Sequence, residues 1–493
     1  MSPFVILVCF FSQKVIASCI IVNTKLFIVN NMVMIMIETM TKITQYSKTQ
    51  PHNRALIINN NHLTYKELNH KIIQACGEMP YSIHNKRVGL MHPSSMVRIV
   101  HYFMVHQLGG IPVMMNSQWH QSMVVDVTTQ CHIHMIIDAS GYHKTEYYDD
   151  DTLIQQPNQL LHIGFTSGTT GLPKAYYRNE PSWIASYKMN ETLISQNHDV
   201  LVAPGPIEHS LTLYTCMYAL YSGRTFSGQD DFDAKQLIQS LESTNQATMA
   251  LFVVPTMLST ILTYDLSHIS IGTILSSGAK LSTSLYRRIQ DIMPSVHVVE
   301  FFGTSEASFI SYNYNRHAPL DSVGKICESV DIKLTHVDKQ GIGMLSINSK
   351  MAFSGYIDHT NYNHIDWLET GDFAYVDKQG FLYLMSRHNE RLIIGGNNIY
   401  PARIERLLHN HPDIDEAIII GRPHAKFGEV AVLLYTGEVA LTYQDIRQYL
   451  ISKVTRYEIP SIVQRVKEMT YTESGKIARH MMQEKYIKGE LST

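Results

Sequence analysis

The sequence predicts an α/β protein with a large N-terminal domain and a small C-terminal one, on three observations. Short apolar runs of strand length alternate with amphipathic stretches of helix length from Ile37 onward. The chain has 493 residues, room for two or three domains of roughly 100 to 200 residues each. Near residue 385 the texture changes, and the remaining segment carries a compact strand-and-helix pattern of its own.

The first 36 residues stand apart from this rhythm. Residues 4–11 are apolar, Gln13 and Lys14 interrupt them, and residues 15–22 and 26–29 follow in broken pieces. None of these pieces reaches the roughly 18 apolar residues of a membrane span. A basic leader region and a small-residue cleavage site are both missing, which speaks against a signal peptide. Translation is expected to begin at Met32, Met34, Met36 or Met40, leaving residues 1–36 as an untranslated extension.

Thr64-Tyr65-Lys66-Glu67 is a capping box, in which the threonine and the glutamate satisfy each other's backbone N–H, so a helix should open there and run through Leu68 and Ile72. Residues 87–91 read as a strand and 101–108 as a helix closed by Gly109-Gly110; 111–115 read as the next strand. The same rhythm returns at 249–254, 271–275 and 296–302. A last short strand at 381–385 meets a polar stretch, followed by a helix at 402–409 and strands at 417–420 and 430–435. Residues 37–386 and 387–493 are therefore taken as the two domains, joined at residues 386–389.

Composition narrows the function classes. Hydrophobic residues at 45% against 17% charged exclude a disordered chain. A net charge of −3 leaves no cation excess to hold a nucleic-acid backbone, so nucleic acid is not expected as a partner. Cys9, Cys19, Cys76, Cys131, Cys216 and Cys327 lie far apart with no C-x-x-C pair, and His132 and His134 beside Cys131 lack zinc-site spacing. They read as reduced thiols of a cytoplasmic protein.

The strongest chemical signal is Phe165-Thr166-Ser167-Gly168-Thr169-Thr170-Gly171-Leu172-Pro173-Lys174. Hydroxyl residues and glycines leave side-chain and backbone donors free to surround an anion, and a polyphosphate is the natural guest. It is not a Walker A loop, because Ala175 follows the lysine and the glycine spacing differs. Further motifs follow in order: Ser277-Gly278-Ala279, Phe302-Gly303-Thr304-Ser305-Glu306, Thr370-Gly371-Asp372 with Arg387 a hairpin later, and Ser474-Gly475-Lys476. From Leu63 to Lys476 the chain resembles the adenylate-forming superfamily of acyl-CoA synthetases, luciferases and peptide-synthetase adenylation domains.

The resemblance implies a fold, a reaction and a site. The N-terminal domain becomes a multi-sheet adenylation domain and the C-terminal one a mobile α+β domain. ATP would be held by Thr166, Ser167, Gly168, Thr169, Thr170, Gly171 and Lys174 at its phosphates. Ser277, Gly278 and Ala279 would line the adenine, with Phe302 and Gly303 beside it; Thr304 and Ser305 would contact the α-phosphate. Asp372, supported by Arg387, would accept hydrogen bonds from the ribose hydroxyls. Glu306 is the expected Mg²⁺ ligand, and Lys476, His209 and Glu306 are the expected catalytic residues. His209, in Pro206-Ile207-Glu208-His209-Ser210, matches the family histidine beside the acyl pocket; alone it reads equally as a buried structural histidine.

Some positions depart from the family. Phe302 and Ser305 stand where Tyr and Thr are commoner; the hinge is Asn389 where Asp or Lys is usual; and Ile393 replaces a lysine found in some relatives. Asn389 is polar and tolerates the unusual backbone angles a rotation needs, whereas Ile393 slightly weakens transfer of second-step details, so the expected CoA thioester step stands on less than adenylation does. Short bacterial fatty-acid:CoA ligases are the most similar branch, which implies a fatty acid as the carboxylic acid and peripheral contact with membranes through a lipid substrate. Residues 211–220 fit either an acyl-tunnel wall or plain helix core. Two alternatives stay open: a free-standing amino-acid or aryl-acid adenylating ligase that charges a carrier protein, and a non-catalytic nucleotide- or lipid-binding interaction protein.

Overall fold

The computed structural model describes residues 26–29, 32–35, 37–150, 159–166, 172–194, 198–242, 244, 247–357, 366–471 and 477–492. The expected site residues Ser167, Gly168, Thr169, Thr170, Gly171 and Lys476 lie outside these, as does most of the N-terminal extension.

Two sheets dominate the large lobe. The longer one has a parallel heart of strands His297–Thr304, Ile271–Ser276, Met249–Val253, Val200–Ala203, Thr225–Gly228 and Arg54–Ile58. Most positions of these strands are buried, as parallel strands covered on both faces require, which is why they read as unbroken apolar runs. Beyond His297–Thr304 the sheet continues through antiparallel strands, among them the hairpin Leu368–Val376 and Phe381–Arg387, and ends at Val330–Thr335. The second sheet is seven-stranded, with Arg87–Leu90, Ile111–Met114 and Leu160–Thr166 parallel at its centre and Lys174–Asn179 and Gly355–Tyr356 antiparallel at one edge.

One large core lies between the sheets. Helices Tyr65–Glu78, Ser95–Gln107, Glu180–Leu193 and Ser210–Ser222 fill it with side chains such as Ile72, Phe103, Trp183 and Tyr218. Further helices cover the outer faces: Gln121–Cys131 on the seven-stranded sheet, and Ala234–Glu242, Pro255–Ile261 and Thr283–Ile292 on the long one. The predicted capping box is present: Thr64 Oγ1 accepts from Glu67 N at 3.2 Å, and Glu67 Oε2 accepts from Thr64 N at 2.8 Å. The helix expected at 101–108 begins six residues earlier, at Ser95. Arg98 disguised that start, because it is buried on the helix's inner face. Residues 212–220 are buried throughout and meet Trp183, Tyr187 and Phe309 ring against ring, so the structure gives that stretch the core reading.

The small lobe is a separate five-stranded sheet, Leu392–Ile394, Asn397–Ile399, Glu416–His424, Gly428–Thr436 and Ile462–Arg465. Helices Pro401–Leu408 and Tyr443–Leu450 cover one face and Arg479–Lys488 the other. It meets the large lobe where Tyr400 joins Ile342, Phe373 and Met385 in an apolar patch and its hydroxyl donates to Asp338 Oδ2 at 3.0 Å. Cys76, Cys131, Cys216 and Cys327 are free thiols, and burial pushes those of Cys131 and Cys327 up to about 12. Among the described residues no helix is long and apolar enough to cross a membrane.

Candidate active site

Of the expected site residues that the structure describes, Thr166, Ser277 and Phe302 to Thr304 stand at the carboxyl ends of parallel strands, where open α/β sheets place their ligands, while Lys174, Asp372 and Arg387 come from antiparallel strands. Thr166 closes one strand and Lys174 opens the next; the two are register partners across the mouth of the loop that joins them. Phe165 fixes this edge by packing its ring on Trp119 at 5.0 Å. Ser277 follows directly after the strand Ile271–Ser276, and its hydroxyl donates to the Phe301 carbonyl at 3.0 Å. Gly278 then turns at φ 87°, with Ala279 exposed beside it.

Phe302, Gly303 and Thr304 end the adjoining strand, and Ser305 and Glu306 form the turn into Ser308–Tyr314. A side chain at Gly303 would put its Cβ 1.8 Å from the Ser308 carbonyl oxygen, so only glycine lets this hairpin close. Thr304 Oγ1 accepts from Ala307 N at 3.1 Å and braces the turn. Half-buried Glu306 accepts from the Tyr356 hydroxyl at 2.7 Å, and Lys174 Nζ stands 5.7 Å from the centre of the same ring. Burial and then Glu306 hold the Tyr356 hydroxyl far up its scale, while Arg387 pulls it back.

Asp372 and Arg387 sit opposite each other on the last hairpin, and the guanidinium Nε lies 3.0 Å from Asp372 Oδ1. The carboxylate is buried while the arginine is half exposed, so the pair presents a fixed acceptor backed by a mobile cation. Asn389 follows two residues later in a one-turn helix, His388–Glu390, and is exposed. His209 precedes the helix Ser210–Ser222; its N–H donates to the Pro206 carbonyl at 3.0 Å and its ring is half-buried. Burial raises the pKa of the Tyr176 hydroxyl, and Ser210 and Ser305 both act to lower it, so the segment that follows His209 lies near the Glu306 turn.

Two residues at this site escaped the sequence reading. Tyr356 sits in a two-residue edge strand with no pattern to flag it, although Gly355 before it marks a bend. Arg178 is four residues beyond Lys174 and directly follows Tyr176 and Tyr177 in the same short strand, and an arginine among buried positions was the available signal. Its guanidinium is buried and donates to the carbonyls of Met351, at 2.9 Å, and Ser305. Burial lowers its pKa to about 10.

The chemistry of this set suits one hard divalent cation shared with phosphates. Glu306 offers a carboxylate at the crevice, and among the described residues no cluster of three His, Cys, Asp or Glu side chains could enclose a metal unaided. A cation there would draw its other ligands from a bound polyphosphate and water, which is the habit of magnesium.

Comparison with known proteins agrees with the fold. The AMP-binding enzyme family matches residues 43–357, and the AMP-binding enzyme C-terminal domain matches residues 403–476. A Staphylococcus epidermidis protein with the provisional name long chain fatty acid-CoA ligase VraA is 45% identical over 455 residues, 92% of this chain and 99% of that protein. Its Staphylococcus aureus (strain COL) counterpart is 44% identical over 450 residues, 90% and 98% of the two chains. The o-succinylbenzoate CoA synthetase MenE of Bacillus subtilis, solved with an acyl-adenylate intermediate, superposes with a TM-score of 0.74 over 90% of this chain and 97% of its own, at 20% identity. With a crevice of this composition and both domain types matched in order, the chain belongs to the AMP-binding enzyme family of adenylate-forming enzymes.

Proposed function

We propose that the protein is an acyl-CoA synthetase that uses ATP and Mg²⁺ to activate a carboxylic acid, a fatty acid, as its acyl-AMP and then forms the CoA thioester. The observation that carries this is the meeting of Thr166, Lys174, Glu306 and the Asp372–Arg387 pair around Tyr356 at one crevice. The 45% identity to a provisionally named long chain fatty acid-CoA ligase supports the choice of acid and acceptor.

Two anions, a carboxylate and a triphosphate, have to be brought into contact, so the site must cancel charge and hold both in line. In this reading residues 166–171 and Lys174 cradle the phosphates, and Asp372, steadied by Arg387, holds the ribose. Phe302 and residues 277–279 border the adenine, and His209 borders the acid. Glu306 would hold Mg²⁺, which supplies neutralisation of the phosphate charge when bound. Lys476, supplied by the C-terminal domain, would act between carboxylate and α-phosphate. The carboxylate oxygen bonds to the α-phosphorus as the bond to pyrophosphate breaks. The CoA thiolate then attacks the acyl carbon and AMP leaves. Rotation at Asn389 exchanges the two steps.

Pyrophosphate exchange into ATP, measured over a panel of carboxylic acids, tests this directly. Exchange is expected with fatty acids, and Lys476→Ala is expected to lower it by roughly 100-fold or more, the scale of losing one preorganised charge, while ATP binding persists. A near-normal rate in that variant would remove Lys476 from the mechanism. Addition of CoA should release AMP and yield a thioester; release only with a carrier protein would favour a carrier-charging ligase, and no exchange with any acid a non-catalytic binder. A lipid substrate would also bring this cytoplasmic enzyme to the membrane surface.

A further inference from the structure

The turn that carries Glu306 belongs to the long sheet, yet its ties come from the other one. Arg178, on the strand Lys174–Asn179, donates to the Ser305 carbonyl and, at 2.9 Å, to that of Met351. Ser308 Oγ donates to the same Met351 carbonyl at 3.1 Å, and the Phe353 N–H donates to the Glu306 carbonyl at 2.6 Å. Three residues on, Tyr356 pairs with Tyr176 in register and places its hydroxyl 2.7 Å from Glu306 Oε1. The turn is thus held at the carbonyl on either side of its end and at the carboxylate itself.

The character of Arg178 points the same way. It is only 1% exposed, and among the described residues its hydrogen bonds end on two carbonyls and Ser182 Oγ, with no carboxylate accepting from it. A buried guanidinium held this way forgoes the return an ion pair gives for lost hydration. Among carboxylates, the field of Glu306 is what favours its charge. A cation spent on two carbonyls fixes backbone; a phenol on a carboxylate oxygen fixes a rotamer.

We infer that Arg178 and Tyr356 are positioning residues, which hold the Thr304–Glu306 turn and aim the Glu306 carboxylate at the cation that accompanies the nucleotide phosphates. This rests on the proposed function above, and its test separates the two. Tyr356→Phe keeps the ring beneath Lys174 and against Phe353, 4.9 Å away, and removes only the hydroxyl. Arg178→Lys keeps a buried cation but cannot span both carbonyls.

Binding of Mn²⁺ to the ATP complex of the full chain, followed by electron paramagnetic resonance, and of metal-free ATP, followed by calorimetry, reads the effect without turnover. Tyr356→Phe is expected to weaken Mn²⁺ about tenfold, the size of one hydrogen bond to a charged group, while metal-free ATP binds within about twofold of the parent. Arg178→Lys should weaken Mn²⁺ similarly, and the double variant should fall short of the product of the two, because both act through one carboxylate. If Glu306→Ala abolishes Mn²⁺ binding while both variants bind it like the parent, the positioning role is overturned and the proposed function stands. If Glu306→Ala binds Mn²⁺ like the parent, the metal assignment falls and takes the positioning role with it.

Discussion

Arg98 and Arg178 are both buried in the large lobe, and their charges are met in opposite ways. Arg98 donates to Glu208 Oε2 at 2.8 Å, with side-chain exposures of 2% and 8%, and also to the Met115 carbonyl at 3.3 Å. Its charge is closed within the protein. The pair spans from the helix Ser95–Gln107 to the residue before His209, and so fixes the His209 segment against the seven-stranded sheet. Among the described residues Arg178 donates only to two carbonyls and a hydroxyl, so its charge is met by dipoles in contact and, without contact, by the field of Glu306. A self-contained pair ties two segments together; a cation met by dipoles holds the backbone of the turn that carries Glu306.

The contrast can be broken by experiment, beginning with the largest effect. Arg98→Met should cost about 3–5 kcal/mol in urea unfolding, because Glu208 is left charged and buried, and the double variant Arg98→Met with Glu208→Met should recover most of it. A single variant as stable as the parent would show that the pair is not closed as described. A third way of burying a titratable group comes next: His101, His106 and His134 are kept neutral chiefly by burial, each lowered from 6.5 to about 4. Between those values the unfolded chain binds more protons than the folded one, so stability should rise with pH from about 4 to 6.5 and then level off for these groups. Thermal midpoints that fall over the same interval would contradict it. The smallest effect belongs to an exposed pair, His268 and Glu242, 2.8 Å apart with both side chains 45% exposed. Glu242→Gln should move unfolding by less than about 0.5 kcal/mol.

Much of this was legible before any coordinates. The capping box at Thr64 is local chemistry between residues three apart, and the central parallel strands announce themselves because both faces are covered. Of the site motifs, the pairing of Asp372 with Arg387 across one hairpin was legible, because both are written within a single strand-turn-strand unit. What stayed hidden depends on distant partners. Arg98 looks like a surface residue until Glu208, 110 positions away, is folded against it. Tyr356 acquires its role only when an edge strand brings it to Glu306, 50 positions back. The stretch 211–220 could not be sorted between tunnel and core because an all-apolar helix has the same text in both settings; its ring contacts with Trp183, Tyr187 and Phe309 decided it.

The hairpin Leu368–Val376 and Phe381–Arg387 sets up a short mechanical linkage. Asp372 faces Arg387 across it, Asn389 comes two residues after, and His388 between them stacks on Phe373, the neighbour of Asp372, at 5.9 Å. Under the proposed function, in which Asn389 is the hinge, a pull on that guanidinium would reach the hinge almost without slack. In that reading loading and swinging would be geared together by covalent proximity, with no long relay in between.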